Sequence, residues 1–183
     1  TDHKHEIRKQ LHPQLKRLWD VEPYLSKAKD YDAPAPSKDE CRKLLRDTLG
    51  DRYARCGYRF VPIVTERLRL RASIDILFLR TSEPGGIIRS GDIDGRLKTL
   101  FDALRMPINC DELGKYKKPE NDEEPFFVLL EDDNYITNVS VETDTLLQPT
   151  PNAEGKFLPN DARVVITVSV RPLEVWMSNT MFL

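Results

Sequence analysis

The sequence predicts an α+β fold, with helices packed on a mixed or antiparallel sheet. Three observations predict it. Helical spacing fills the first third of the chain. Strand-like alternation and short apolar runs dominate the rest, with Arg163–Val170 the clearest case. Between the strand patterns stands one two-faced helix, Gly91–Leu104. At 183 residues with 39% hydrophobic content the chain can bury one core. No apolar run reaches the roughly 18 residues of a membrane span.

Ile7, Leu11, Leu15, Leu18 and Trp19 recur at helical spacing over residues 3–20. Pro13 predicts a kink or a start inside that stretch. The helix reads either as an amphipathic element docked on the core or as an arm for a partner subunit or a phosphate backbone. Asp32-Ala33-Pro34-Ala35-Pro36 is a proline-stiffened linker, so residues 1–36 are read as an N-terminal arm and linker and 37–183 as the α+β domain. Ser37-x-x-Glu40 has the form of a capping box. It predicts a helix through Leu44, Leu45, Thr48 and Leu49 to Arg55, stopped at Gly57.

Tyr58–Thr65 reads as a strand, with Pro62 marking an edge or bulge. Leu68–Leu79 reads as a longer one. Arg67, Arg69 and Arg71 alternate with its first apolar residues, and guanidinium forks fit phosphate oxygens. They are candidate nucleic-acid contacts, or else partners for acids on a neighbouring strand. Asp75 is expected to be paired or to face outward. Ser82–Gly86 is a turn. Met106–Pro125 is a polar segment that suits a lid, a substrate-selecting loop or plain disorder. Phe126–Leu130 is a buried strand, Ile136–Thr143 a strand with an irregularity near its start, and Leu146–Asp161 a Pro- and Asn-rich connection. The tail from Trp176 is expected to dock on the core or on a partner.

The chemistry gathers around the central helix. Ile93, Leu97, Leu100, Phe101 and Leu104 form a core face, while Asp94, Lys98 and Asp102 form a stripe beside it. Ser90 or Asp92 can cap its start. A second acidic group, Glu131-Asp132-Asp133, closes the Phe126–Leu130 strand. Carboxylates from a helix start and a strand end that converge repel one another, and a hard divalent cation relieves that repulsion. Asp92, Asp94 and Asp133 are therefore the candidate ligands for Mg²⁺, with Mn²⁺ as its natural substitute. Lys98 and Asp132 lie close by in this scheme.

Asp92-Ile93-Asp94, Leu97-Lys98, Phe101-Asp102-Ala103-Leu104 and Asp132-Asp133, in this order, resemble the active-site segment of the RusA-like Holliday junction resolvases. The resemblance covers roughly a quarter of the chain. It implies a RusA-like α+β fold and a Mg²⁺-dependent endodeoxyribonuclease acting on DNA phosphodiesters, with branched DNA as the family's substrate and a homodimer as its assembly. Carried over by position, Asp92, Asp94 and Asp133 match metal-binding aspartates. Lys98 matches a lysine needed for cleavage. Asp102 and Asp132 would support them from behind. The competing expectation is a non-catalytic nucleic-acid- or protein-binding protein that keeps the acidic helix for packing.

Net charge is −2, yet it is unevenly spread. Residues 1–91 carry 19 Lys and Arg against 13 Asp and Glu, and residues 92–183 carry 9 against 17. A basic surface beside an acidic site suits a nuclease. Opposite charges that pair on the surface are the plainer account. His3, His5 and His12 are set aside as metal ligands, because His3 and His5 do not share a helical face and lie near an end expected to fray. Cys41, Cys56 and Cys110 are odd in number and scattered, and read as reduced thiols. A charged start without an apolar leader places the chain in the cytoplasm, away from membranes.

Overall fold

Two three-stranded sheets carry the architecture of the chain, here a computed structural model. It describes residues 2–31, 41–81, 93–148 and 162–183, without the side chains of residues 2, 93, 94 and 162. The linker at 32–36, the Ser37/Glu40 capping box, the turn at 82–86, the caps Ser90 and Asp92, and most of the 146–161 connection lie outside the described residues.

In chain order the elements are α1 (Asp2–Val21), α2 (Pro23–Ser26), α3 (Leu45–Arg52), β1 (Ala54–Arg55), β2 (Tyr58–Val64), β3 (Leu70–Arg80), α4 (Ile93–Leu104), β4 (Phe126–Leu130), β5 (Ile136–Thr145) and β6 (Ala162–Pro172). Single 3₁₀ turns occupy Cys110–Leu113, Asp133–Tyr135 and Thr180–Phe182. The first sheet is ordered β1-β2-β4, antiparallel then parallel. The second is β5-β3-β6, parallel then antiparallel. The mixed α+β class is as the sequence predicts.

The core lies around the first sheet. All five residues of β4 are buried, as are six of the seven in β2, which is why both read as near-continuous apolar runs. Trp19, Leu25, Leu45, Leu49, Leu100 and Leu104 close over them from the helices. β1 meets only Tyr58 and Arg59, so at Pro62, among the described residues, β2 pairs with β4 alone and its other side is an edge, as expected for proline. β3 enters the core at Leu70–Ile76 and leaves it beyond. The register of β5 against β3 slips between Ala72 and Ser73, and Thr137 Oγ1 donates to the Ala72 carbonyl at 3.2 Å. That is the irregularity expected near the start of this strand. Asp75 is exposed, as expected.

Four expectations need correction. First, no helix starts at Pro13: a single helix, α1, spans Asp2–Val21 with Pro13 inside it. It is docked on β4 and α4, and its buried side chains are His5, Arg8, His12 and Trp19. Second, α3 begins only at Leu45. The Leu45 N–H donates to the Ala28 carbonyl and Asp30 N–H to the Lys43 carbonyl, so the residues ahead of it lie extended along 28–30. It stops at Arg52. Gly57, at φ 81° after Cys56 at φ 55°, instead makes the two-residue turn of the β1–β2 hairpin. Third, the long strand starts at Leu70, because residues 66–69 form a turn in which Arg69 adopts φ 49°. Fourth, Cys56 and Cys110 form a disulfide across 54 residues, leaving only Cys41 free. The hairpin turn carries Cys56 to the 3₁₀ turn that Cys110 opens, a meeting that sequence spacing does not reveal.

The 106–125 segment is tied to the rest of the fold. Lys9 of α1 pairs with its Glu120 and Glu123, and Tyr58 Oη donates to the Lys118 carbonyl at 2.9 Å. The tail docks through Asn179, which is buried and donates to the carbonyls of Leu68 and Glu174 at 2.8 Å. No described helix is long and apolar enough to cross a membrane.

Candidate functional site

The end of α4 and the end of β4 are joined. Arg105 bridges to Leu130, and the Met106 N–H donates to the Leu130 carbonyl at 2.9 Å. The 3₁₀ turn Asp133–Tyr135 follows immediately and packs against α4. The two acidic groups singled out in the sequence thus sit on elements that touch.

The three consecutive acids do three different things. Glu131 is structural: its Oε2 accepts from Tyr53 Oη and from the Glu66 N–H, both at 2.9 Å. Asp132 caps the turn, its Oδ1 accepting from the Asn134 N–H at 2.9 Å. Asp133 is left outward, with a side chain 45% exposed. Partial burial pushes its carboxyl above the usual range, the nearby Arg105 guanidinium opposes that rise, and Asp132 and Asp102 add to it. Its Oδ2 lies 3.9 Å from Arg105 Nε.

On α4, Lys98 is exposed and Asp102 buried. Asp94 lies in the first turn with its side chain undescribed, and Asp92 is outside the described residues. Asp102 does not reach towards Lys98. Its Oδ2 pairs with Lys4 Nζ at 2.6 Å and its Oδ1 accepts from Arg105 Nη2 at 2.5 Å. Burial works against its charge, but Lys4 and Arg105 outweigh burial and hold its carboxyl below the usual range. Both oxygens are engaged by these two cations.

Behind it lies a buried ionic cluster that the sequence reading missed. Arg8 of α1 donates through Nε to the Arg105 carbonyl at 2.9 Å and through Nη2 to Glu112 Oε2 at 2.8 Å. Arg105 donates to Asp102 and to both oxygens of Glu112. A signal was present: Arg8 lies on the same helical stripe as His12 and Trp19. Polar residues on a buried stripe demand partners, but those partners are some 100 residues away and invisible to local periodicity.

The three arginines go separate ways. Arg67 pairs with buried Asp30, and Arg69 pairs with Glu174 and lies over Trp176. Only Arg71 belongs to β3; it pairs with Glu66 and lies 4.8 Å from the Tyr135 ring, beside the Asp133 turn. They do not share one strand face.

Among the described residues, no group of three or more His, Cys, Asp or Glu side chains is arranged to hold a metal ion; Asp92 and the Asp94 side chain lie outside the described residues. Comparison with known protein families, characterised proteins and solved structures finds no match.

Proposed function

We propose that this chain is a divalent-metal-dependent endonuclease of the RusA-like kind, hydrolysing DNA phosphodiesters with branched DNA as the substrate to test first. One observation carries the reading. Asp133, a half-exposed carboxylate in the turn that follows β4, packs with that turn against the helix that bears Asp94 and Lys98. Asp92, Asp94 and Asp133 would hold Mg²⁺, or Mn²⁺ in its place. The bound ion would supply a polarised phosphoryl oxygen and a water of lowered pKa.

The chain's own residues divide the remaining work. Lys98, exposed on the same helix, meets charge developing on the phosphate. Arg71 stands by the Asp133 turn as a backbone contact. Asp102, locked by Lys4 and Arg105, keeps α4 seated. A two-fold assembly would offer two such sites to two strands. A DNA substrate places the working compartment with the nucleic acid, in the cytoplasm. A second reading, a non-catalytic nucleic-acid- or protein-binding protein, gains from the full occupation of Asp102 by two cations.

Cleavage of labelled junctions, flaps and linear duplexes, with Mn²⁺ calorimetry, separates the two. Asp94→Asn and Asp133→Asn are each expected to abolish cleavage and weaken Mn²⁺ binding while the protein stays folded. Lys98→Ala is expected to cut turnover by about 10²–10³-fold with little change in DNA binding. Cleavage that survives Asp133→Asn, or a wild-type protein that binds no Mn²⁺, sinks the nuclease reading and leaves the binding protein.

A further inference from the structure

We propose that the outer edge of β6, with the apolar groove beside it, takes an extended segment of a partner protein as an added strand, apolar at alternate residues and acidic at both ends. Neither α4 nor the Asp133 turn is involved. Edge strands that must stay unpaired are blunted by charges, prolines or bulges. In the second sheet β5 is blunted in this way: its register slips between Ala72 and Ser73, and Asn138, Glu142 and Asp144 stand exposed along it. β6 has no such device. From Val164 to Val170 it holds no charge, proline or glycine, and its register against β3 runs without a shift from Ala162 to Pro172. Among the described residues it pairs with β3 alone, and no turn or tail backbone group bonds to its other side. Val164 and Val165 are 41% and 50% exposed. An uncharged edge of this length is a template for another strand.

The groove supplies places for that strand's side chains. It is lined by Ile166, Val168 and Val170 of β6, by Leu15 and Leu18 of α1 and by Ile63 of β2, and its volume is about 500 Å³. Side chains along a strand alternate between the two faces of a sheet. A segment paired with β6 therefore sends every second side chain to the face of Ile166, Val168 and Val170, where the groove lies. Backbone hydrogen bonds hold such a segment, and the groove selects its side chains.

The ends of the edge select its charge. Arg163 and Arg171 are exposed, share the face opposite the groove, and have no carboxylate partner among the described residues. A second copy of this chain fits poorly. Antiparallel self-pairing about Thr167 sets Arg163 of each copy opposite Arg171 of the other, and like charges directly opposite destabilise a strand pair. Acids at the spacing of the two arginines, on the outward face of an incoming strand, meet both.

Calorimetry on the full chain, with the capped peptide Glu-Val-Thr-Leu-Thr-Leu-Thr-Val-Glu as probe, tests this, and amide hydrogen exchange locates the contact. Saturable binding is expected, with exchange slowed at alternate N–H groups between Arg163 and Arg171. Arg163→Glu/Arg171→Glu is expected to weaken this peptide by about 10-fold or more and to gain binding of its Lys-ended counterpart. Leu18→Lys, at an exposed position of the groove, is expected to weaken the Glu-ended peptide by about 10-fold while leaving its preference over the Lys-ended one unchanged. A wild type that binds neither peptide, equal affinity for the two, or exchange slowed away from β6 overturns the proposal. A wild type that sediments as a dimer with the same β6 amides protected gives the edge to a second copy and overturns it too.

Discussion

His5 occupies a place that an ionised imidazole could not hold. It is fully buried, and neither ring nitrogen has a hydrogen-bond partner among the described residues. It stacks on Phe126 and touches Tyr58 and Tyr116. Burial pushes its pKa down to about 4, Arg8 and Lys9 add to the fall, and Glu123 opposes it. Since the unfolded chain protonates this residue near 6.5 and the folded chain only near 4, stability is complete above pH 6.5 and is lost as pH falls between those values. The loss is on the order of 3 kcal/mol. His12, lowered in the same direction by burial, adds to it, although it keeps hydrogen bonds to Phe127 N–H and the Asp122 carbonyl. His5→Phe, which suits an aromatic cage, should remove most of the fall. Urea midpoints at pH 7 and pH 4.5 check this; an equally steep fall in His5→Phe would place the acid sensitivity elsewhere.

At the scale of the element, α1 shows where a periodicity argument holds and where it fails. The stretch, its helical character and its docking on the core were legible, because leucines at helical spacing have few other uses. The buried face was displaced. Ile7, Leu11 and Leu15 are only partly buried and Leu18 is exposed, while His5, Arg8 and His12 lie inside. Hydrophobicity cannot point to a stripe whose buried members include an arginine and a histidine partnered from 97 or more residues away. Pro13 misled for a related reason. It breaks isolated helices, but here the exposed ring sits in a helix seated on β4 by His12 and Trp19. Packing overrides a local cost of about 3 kcal/mol. That cost is still borne, so Pro13→Ala should raise the melting temperature by several degrees. A melting temperature that falls instead would mean that the ring is part of the packing or that its rigidity in the unfolded chain matters more.

At the scale of the molecule, the two sheets differ in how openly the sequence announced them. β2 and β4 are sheathed on both faces and read as apolar runs; β6 alternates because one face is half covered, with Ile166, Val168 and Val170 packed towards the core. The central helix was likewise legible, but the meeting was expected at its start, at Asp92 and Asp94, whereas the described contacts join its other end, where Arg105 faces Leu130 and Asp133. What sequence could not supply was the long-range closure: Arg8 to Glu112, Lys4 to Asp102, Cys56 to Cys110. Each joins segments whose separation carries no local pattern.

The disulfide is the closure with the largest predicted consequence for the whole fold. It ties the β1–β2 hairpin turn to the connection between α4 and β4, a separation of 54 residues. Closing a loop of that length removes unfolded-state entropy worth about 4 kcal/mol in the chain model. For a chain of this size that corresponds to a melting temperature lower by about 10 °C when the link is absent. Cys56→Ser/Cys110→Ser is therefore expected to unfold about that much earlier than the oxidised wild type, and reductant is expected to bring the wild type to the same value. Alkylation of the unfolded, unreduced protein should label Cys41 alone, since it is the one free thiol. The double variant keeps Arg8, Arg105 and Glu112, so the Glu112 turn retains its ionic hold and loses only its covalent one. Three labelled thiols would show the link unformed. An unchanged melting temperature would show that the ionic cluster already restrains this turn as tightly as the disulfide does.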